Sequence, residues 1–184
     1  MKDRFTKNPA AHDYWKKGNE LFDQGKTLAS LEYFEKAIRS DPGFAEAYNS
    51  MGIAFYEKRD YPNALECYKR AVIIKPGFVE AMNNLGTAFL FLGRFPDAAM
   101  AYEKVVEIQP DMAEAYNNLG LVYEQMERSD DAIKAYRKFK ELWEGKGTTR
   151  YLHAAQERID RLEKGRKSGV GEPPRMDKSV GSTS

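Results

Sequence analysis

Apolar and polar positions along the chain recur with a fixed period. Glycines fall at Gly18, Gly52, Gly86 and Gly120 and prolines at Pro42, Pro76 and Pro110, each set advancing by 34 residues. Such a period marks one structural unit copied along the chain. Four residues before each glycine stands Tyr14, Tyr48, Met82 or Tyr116, and three after it Leu21, Phe55, Phe89 or Tyr123. That spacing gathers apolar side chains on one face of a helix. Downstream, Ser30 and Phe34, Ala64 and Tyr68, Ala98 and Tyr102, and Ala132 and Tyr136 predict a second helix in every copy. Breaks fall at Gln24-Gly25-Lys26, Arg59-Asp60-Tyr61-Pro62, Leu92-Gly93-Arg94-Phe95-Pro96 and Glu127-Arg128-Ser129-Asp130. Pro62 and Pro96 stand near helix starts, where a missing N–H costs little. Each unit is therefore expected to be a helix, a turn and a helix.

The run Tyr116-Asn117-Asn118-Leu119-Gly120-Leu121-Val122-Tyr123, with Ala132 and Tyr136 after it, resembles the tetratricopeptide repeat. The resemblance covers about residues 11–144 and implies an all-α fold, an α-solenoid of four hairpins at 11–44, 45–78, 79–112 and 113–144. Departures from the family pattern are Lys17 and Ser30 in the first copy, Val105 and Phe139 at small-residue sites, and Glu144 where a proline would stand. Most lie in the terminal copies, as end repeats of a solenoid allow. A glycine inside a helix costs about 1 kcal/mol against alanine. Four at one periodic site predict a neighbour too close to admit a side chain.

After the fourth copy Gly145-Lys146-Gly147 breaks the pattern, and residues 148–164 predict one more amphipathic helix. Tyr151, Leu152, Ala155, Ile159 and Leu162 form its apolar stripe, which suits a helix that caps the open end of the stack. Residues 165–184, rich in Gly, Ser, Pro and Lys, are expected to be a disordered, solvated tail, and residues 1–10 a flexible N-terminus.

Composition then narrows the partners. The 184 residues carry 29 Lys plus Arg against 28 Asp plus Glu, a net charge of +1, and so offer no global field to draw in nucleic acid or an anionic membrane. No segment holds the roughly 18 uninterrupted apolar residues of a membrane span, and the opening nine residues lack the apolar core of a signal peptide. Cys67 is the sole cysteine, which fits a reducing compartment and makes the cytoplasm the expected location.

No phosphate loop, nucleophile elbow or metal-type His and Cys spacing occurs, and His12 and His153 belong to opposite ends of the array. No catalytic residue, cofactor or metal is expected. Glu46, Glu80 and Glu114 sit where a first-turn carboxylate favours the helix dipole.

The family resemblance implies a concave groove lined by the first helix of each pair. Offsets from the glycines place Trp15, Asn19, Asn49, Ile53, Tyr56, Asn83, Asn84, Thr87, Leu90, Phe91, Asn117, Asn118 and Leu121 in it. Two family modes can be laid on these positions. The carboxylate clamp of co-chaperones is disfavoured: Asn19 fits, but Trp15, Ser50, Glu80 and Asn84 occupy its other sites. In the asparagine ladder of the O-linked N-acetylglucosamine transferase superhelix, amides hold a peptide backbone. Asn84 and Asn118 fit it, whereas Ser50 and Lys16 break it. The amides either grip a peptide or only keep the surface polar, and the sequence leaves both open. The implied function is a non-enzymatic scaffold or adaptor that takes a peptide-like segment of a protein partner, with apolar anchors near Phe91. The alternative is a homo-oligomer formed through the groove or through the open first helix near Trp15.

Overall fold

The computed structural model describes residues 8–145 and 149–168. Among these residues there are helices and turns and no strand. The helices pair into four antiparallel hairpins: α1 (Pro9–Asp23) with α2 (Thr27–Ser40), α3 (Ala45–Glu57) with α4 (Tyr61–Ile74), α5 (Val79–Phe91) with α6 (Phe95–Ile108), and α7 (Ala113–Gln125) with α8 (Ser129–Trp143). A further helix, α9 (Thr149–Ser168), packs on α8.

The turns inside the hairpins follow from helix-end chemistry. Each first helix ends on a residue in the left-handed region, Gly25 (φ 73°), Arg59 (φ 59°), Gly93 (φ 69°) or Glu127 (φ 57°). The reversal lets backbone N–H groups return to the last turn: Arg59 N donates to Tyr56 O at 2.8 Å and Asp60 N to Phe55 O at 2.9 Å. Carbonyls that the helix end would otherwise orphan are thereby satisfied.

Each periodic glycine faces the buried ring sixteen residues later, on the second helix of its own hairpin: Gly18 and Phe34, Gly52 and Tyr68, Gly86 and Tyr102, Gly120 and Tyr136. All four rings are at most 2% exposed. Ala64, Ala98 and Ala132 are fully buried in the same layer. The close neighbour expected from the sequence is thus the partner helix of the same pair, presenting an aromatic ring edge.

Successive first helices touch one another, α1 with α3, α3 with α5 and α5 with α7, whereas successive second helices make no comparable contact among the described residues. First helices therefore line the inner, closer-spaced side of the stack. The outward end of the first hairpin is polar: Lys17 and Glu20, paired at 3.1 Å, stand where the later copies carry the half-buried Met51 and Leu85 or the buried Leu119, and the buried Ala54, Ala88 and Val122. Among the described residues no element covers that face, so apolar side chains there would stay in water.

At the other end α9 buries Ala155 and Ile159 against the last hairpin. Tyr151 meets Trp143, Gln156 meets Lys140, and Glu163 meets Arg137 at 2.7 Å. Ascending positions on α9 meet descending ones on α8, so α9 runs parallel to α7 and α5. It continues to Ser168, past the end at residue 164 expected from sequence, so 165–168 are helical rather than part of a tail. The rest of the expected tail, 169–184, the first seven residues, and 146–148 lie outside the described residues.

Candidate interaction site

Three rings gather where the second and third hairpins turn. Tyr56 closes α3, Tyr61 opens α4 and Phe91 closes α5. Tyr61 and Phe91 stack with centroids 4.8 Å apart and planes 21° apart, and Tyr56 meets both edge-on or tilted at 5.4 and 5.5 Å. With Glu57 and Arg59 they line an open pocket of about 350 Å³. Phe91 stays 52% exposed although it sits in an aromatic cluster. Burial pushes the Tyr56 hydroxyl up from its ordinary pKa, and the nearby Tyr61 and Glu57 add to the rise.

The remaining groove candidates divide by what they touch. Ile53, Tyr56 and Leu90 are half-buried and rest on the main core, so part of their surface belongs to the scaffold. Asn49 is buried, 5% exposed, and its Oδ1 accepts from Asn84 Nδ2 at 3.1 Å. This pair joins α3 to α5 and occupies the ladder position that Asn84 filled in the sequence. Thr87 pairs with the Tyr102 hydroxyl at 2.8 Å and donates to Asn83 O at 3.1 Å. Asn83 is half-buried, and its Oδ1 has no hydrogen-bond partner among the described residues. Asn19 on α1 and Asn117, Asn118 and Leu121 on α7 are half-buried.

Trp15 is engaged as well. Its Nε1 donates to Ser50 Oγ at 2.9 Å, and its ring meets Phe44 edge-on at 5.6 Å. It joins α1 to the second hairpin, which removes Trp15 as a motive for self-association through the first helix.

The groove positions four residues after each glycine are Phe22, Tyr56, Leu90 and Glu124, and the last of them is taken up by α9. Glu124 accepts from Arg158 at 2.9 Å, from Arg161 at 2.6 Å and from the Tyr136 hydroxyl at 2.5 Å. Burial alone would raise the pKa of this carboxyl. The hydrogen bonds from Tyr136 and Arg158 and the charges of both arginines outweigh it and hold the pKa below the usual range.

Sequence reasoning missed Tyr61 and Arg59 in the pocket and Arg158 and Arg161 on Glu124. The map used only offsets along first helices, and Tyr61 begins a second one. A usable signal was present: Tyr61 is an aromatic where the first and last copies carry Thr27 and Ser129.

Among the described residues no group of three or more His, Cys, Asp or Glu side chains could hold a metal ion, and no helix is long and apolar enough to cross a membrane. Residues 16–77 and 83–146, more than half of the chain, match the family described as Tetratricopeptide repeat. The chain belongs to the tetratricopeptide repeat family. Solved structures resemble this tetratricopeptide array over most of its length. The first TPR of Spaghetti (RPAP3) bound to the HSP90 peptide SRMEEVD is 23% identical, covers 67% of this chain and 98% of its own, and superposes with a TM-score of 0.64. MamA 41-end from Desulfovibrio magneticus RS-1 is 22% identical, with 90% of this chain and 100% of that chain covered and a TM-score of 0.73. PilF of Pseudomonas aeruginosa is 22% identical, with coverages of 86% and 70% and a TM-score of 0.72. Likeness at these identities extends to the tetratricopeptide fold. No curated protein matches the chain closely enough to add to this.

Proposed function

We propose that this protein is a non-enzymatic adaptor that holds a peptide-like segment of another protein on its inner face, with an apolar side chain seated among Tyr56, Tyr61 and Phe91. The observation that carries the reading is the 52% exposure of Phe91 inside a stacked aromatic cluster. Covering such a ring gains about 25 cal/mol per Å² before the costs of association are subtracted. Aromatic anchors in a desolvated pocket carry a large share of binding energy. A related domain of the same fold holds a short peptide, which supports the choice of ligand class. The amides play the lesser part in this reading, because Asn84 Nδ2 is already engaged by Asn49 Oδ1.

The test is selection of peptides from a display library on the full chain, followed by titration of the selected peptides against variants. Phe91→Ala is expected to weaken binding by about 1 kcal/mol or more, roughly fivefold, with only a small fall in melting temperature from the lost ring contacts. Asn118→Ala is expected to weaken it less. Unchanged affinity beside a lowered melting temperature would make the cluster part of the scaffold and overturn the reading.

A further inference from the structure

We propose that the partner segment held in the aromatic pocket carries a basic side chain on one side of its apolar anchor and an acidic one on the other, facing Glu57 and Arg59 respectively. The inference rests on the reading of that pocket as a peptide site and names the chemistry by which it selects its peptide.

The pocket holds two unmatched charges. Glu57 and Arg59 line it together with the three rings, and both are exposed. Neither has an ion-pair partner among the described residues, although they stand two positions apart in the chain. Local geometry explains this. Residues two apart do not face each other at a helix end, and the left-handed backbone of Arg59, φ 59°, turns the chain off the α3 axis just after Glu57. The Glu57 charge is felt inside the cluster: after burial and Tyr61, it is the next cause that raises the pKa of the Tyr56 hydroxyl.

Other turns of the array match their charges internally. Arg94 is held by Asp97 and Arg128 by Asp131, each at 2.8 Å, and Glu124 is held by Arg158 and Arg161. In the second turn itself Asp60 is taken up in capping α4, accepting from Asn63 N at 3.3 Å and from Asn63 Nδ2 at 2.8 Å. Lys58 does not line the pocket. At the positions of Glu57 and Arg59 the first copy carries Asp23 and Gly25, the third Phe91 and Gly93, and the fourth Gln125 and Glu127. An acid and a base stand there together in the second copy, which also supplies Tyr56 and Tyr61.

The consequence is selectivity. Rings alone accept many apolar side chains. A segment with like charges on both sides of its anchor meets one attraction and one repulsion at this pocket, whereas opposite charges in the right order gain at both. An exposed ion pair changes affinity by at most about fivefold. The rings therefore supply affinity, and the two charges set the direction of the segment and the choice among apolar sequences.

The experiment selects peptides from one random display library on two full chains, the parent and a chain carrying Glu57→Arg with Arg59→Glu. Arg59→Glu keeps a backbone that Glu127 already adopts, φ 57°, at the equivalent turn of the fourth hairpin. Melting temperatures measured alongside confirm that both chains are folded. Peptides selected on the parent should carry a basic and an acidic residue flanking an apolar one in a fixed order, and those selected on the swapped chain the inverse order. Each synthesised peptide should bind its own chain about fivefold or more tightly than the other, and the gap should shrink at high salt. No charge preference, one order on both chains, or equal affinity for both would each overturn the proposal. If the selected peptides lose affinity with Phe91→Ala but show no charge order, the charge inference falls and the adaptor reading stands. If they bind regardless of Phe91, or none is selected, both fall.

Discussion

Gly86 on α5 lies so close to Tyr102 on α6 that a methyl carbon added to the glycine would sit 2.8 Å from Cε1 of the ring. Tyr102 is fully buried and its hydroxyl is held by Thr87, so the ring has no free direction in which to retreat. Gly86→Leu is therefore expected to destabilise the array by about 1–3 kcal/mol through overpacking, seen as a lower melting temperature in circular dichroism. Gly86→Ala gains about 1 kcal/mol of helix propensity and should still lower it. A melting temperature equal to or above the parent's for both variants would show that the ring yields.

Arg59 and Glu127 stand in the left-handed region that Gly25 and Gly93 occupy in the other two hairpins. Holding a side chain there costs about 1–2 kcal/mol, and glycine returns part of this as extra freedom in the unfolded chain. Arg59→Gly and Glu127→Gly should each raise stability, by about 0.5–1 kcal/mol. Glu127→Gly is the cleaner test, since Arg59 also lines the pocket. Urea titration gives the answer, and a loss of stability for Glu127→Gly would contradict the strain argument.

Glu124 ties α9 to the last hairpin through Arg158 and Arg161. Its folded pKa is depressed, so the stability it contributes is present above the ordinary carboxylate pKa and is lost as pH falls through the folded value. Relative to the intrinsic exchange rate at each pH, the protection of α9 amides should fall as the pH drops below the ordinary carboxylate range, before that of the central hairpins. Glu124→Gln should lower α9 protection already at neutral pH and make it less sensitive to salt. Equal protection of α9 in the variant and the parent would remove Glu124 as the anchor.

Cys67 on α4 is buried, and that burial, with Glu66 and Asp60 nearby, pushes its thiol pKa up to about 12. The thiolate is the reactive form. A thiol reagent at neutral pH should label the folded chain at least ~100-fold more slowly than the chain in urea, because both access and ionisation are suppressed. The labelling rate then reports opening of the second hairpin. Fast labelling under native conditions would show that α4 is not packed as described.

The repeat unit, its two helices, the turns and the buried side of each helix were legible in the sequence because all depend on residues within one 34-residue copy. Gly52 and Tyr68 are sixteen positions apart, and their packing recurs in every copy, so periodicity exposed it. The pairs that shape the interaction face lie farther apart. Trp15 with Ser50 and Asn84 with Asn49 are each separated by 35 residues, and Arg161 with Glu124 by 37. Trp15 with Ser50 and Asn49 with Asn84 occupy equivalent positions one 34-residue copy apart but with different residue types, so the period marks the positions without announcing the bonds, and Arg161 lies on α9, beyond the repeats. Whether Asn84 grips a ligand or a neighbouring helix, and whether Tyr61 joins Phe91, depends on the rotation and spacing of one hairpin against the next. That geometry is set by the summed packing of buried side chains, and only the tertiary structure decides it.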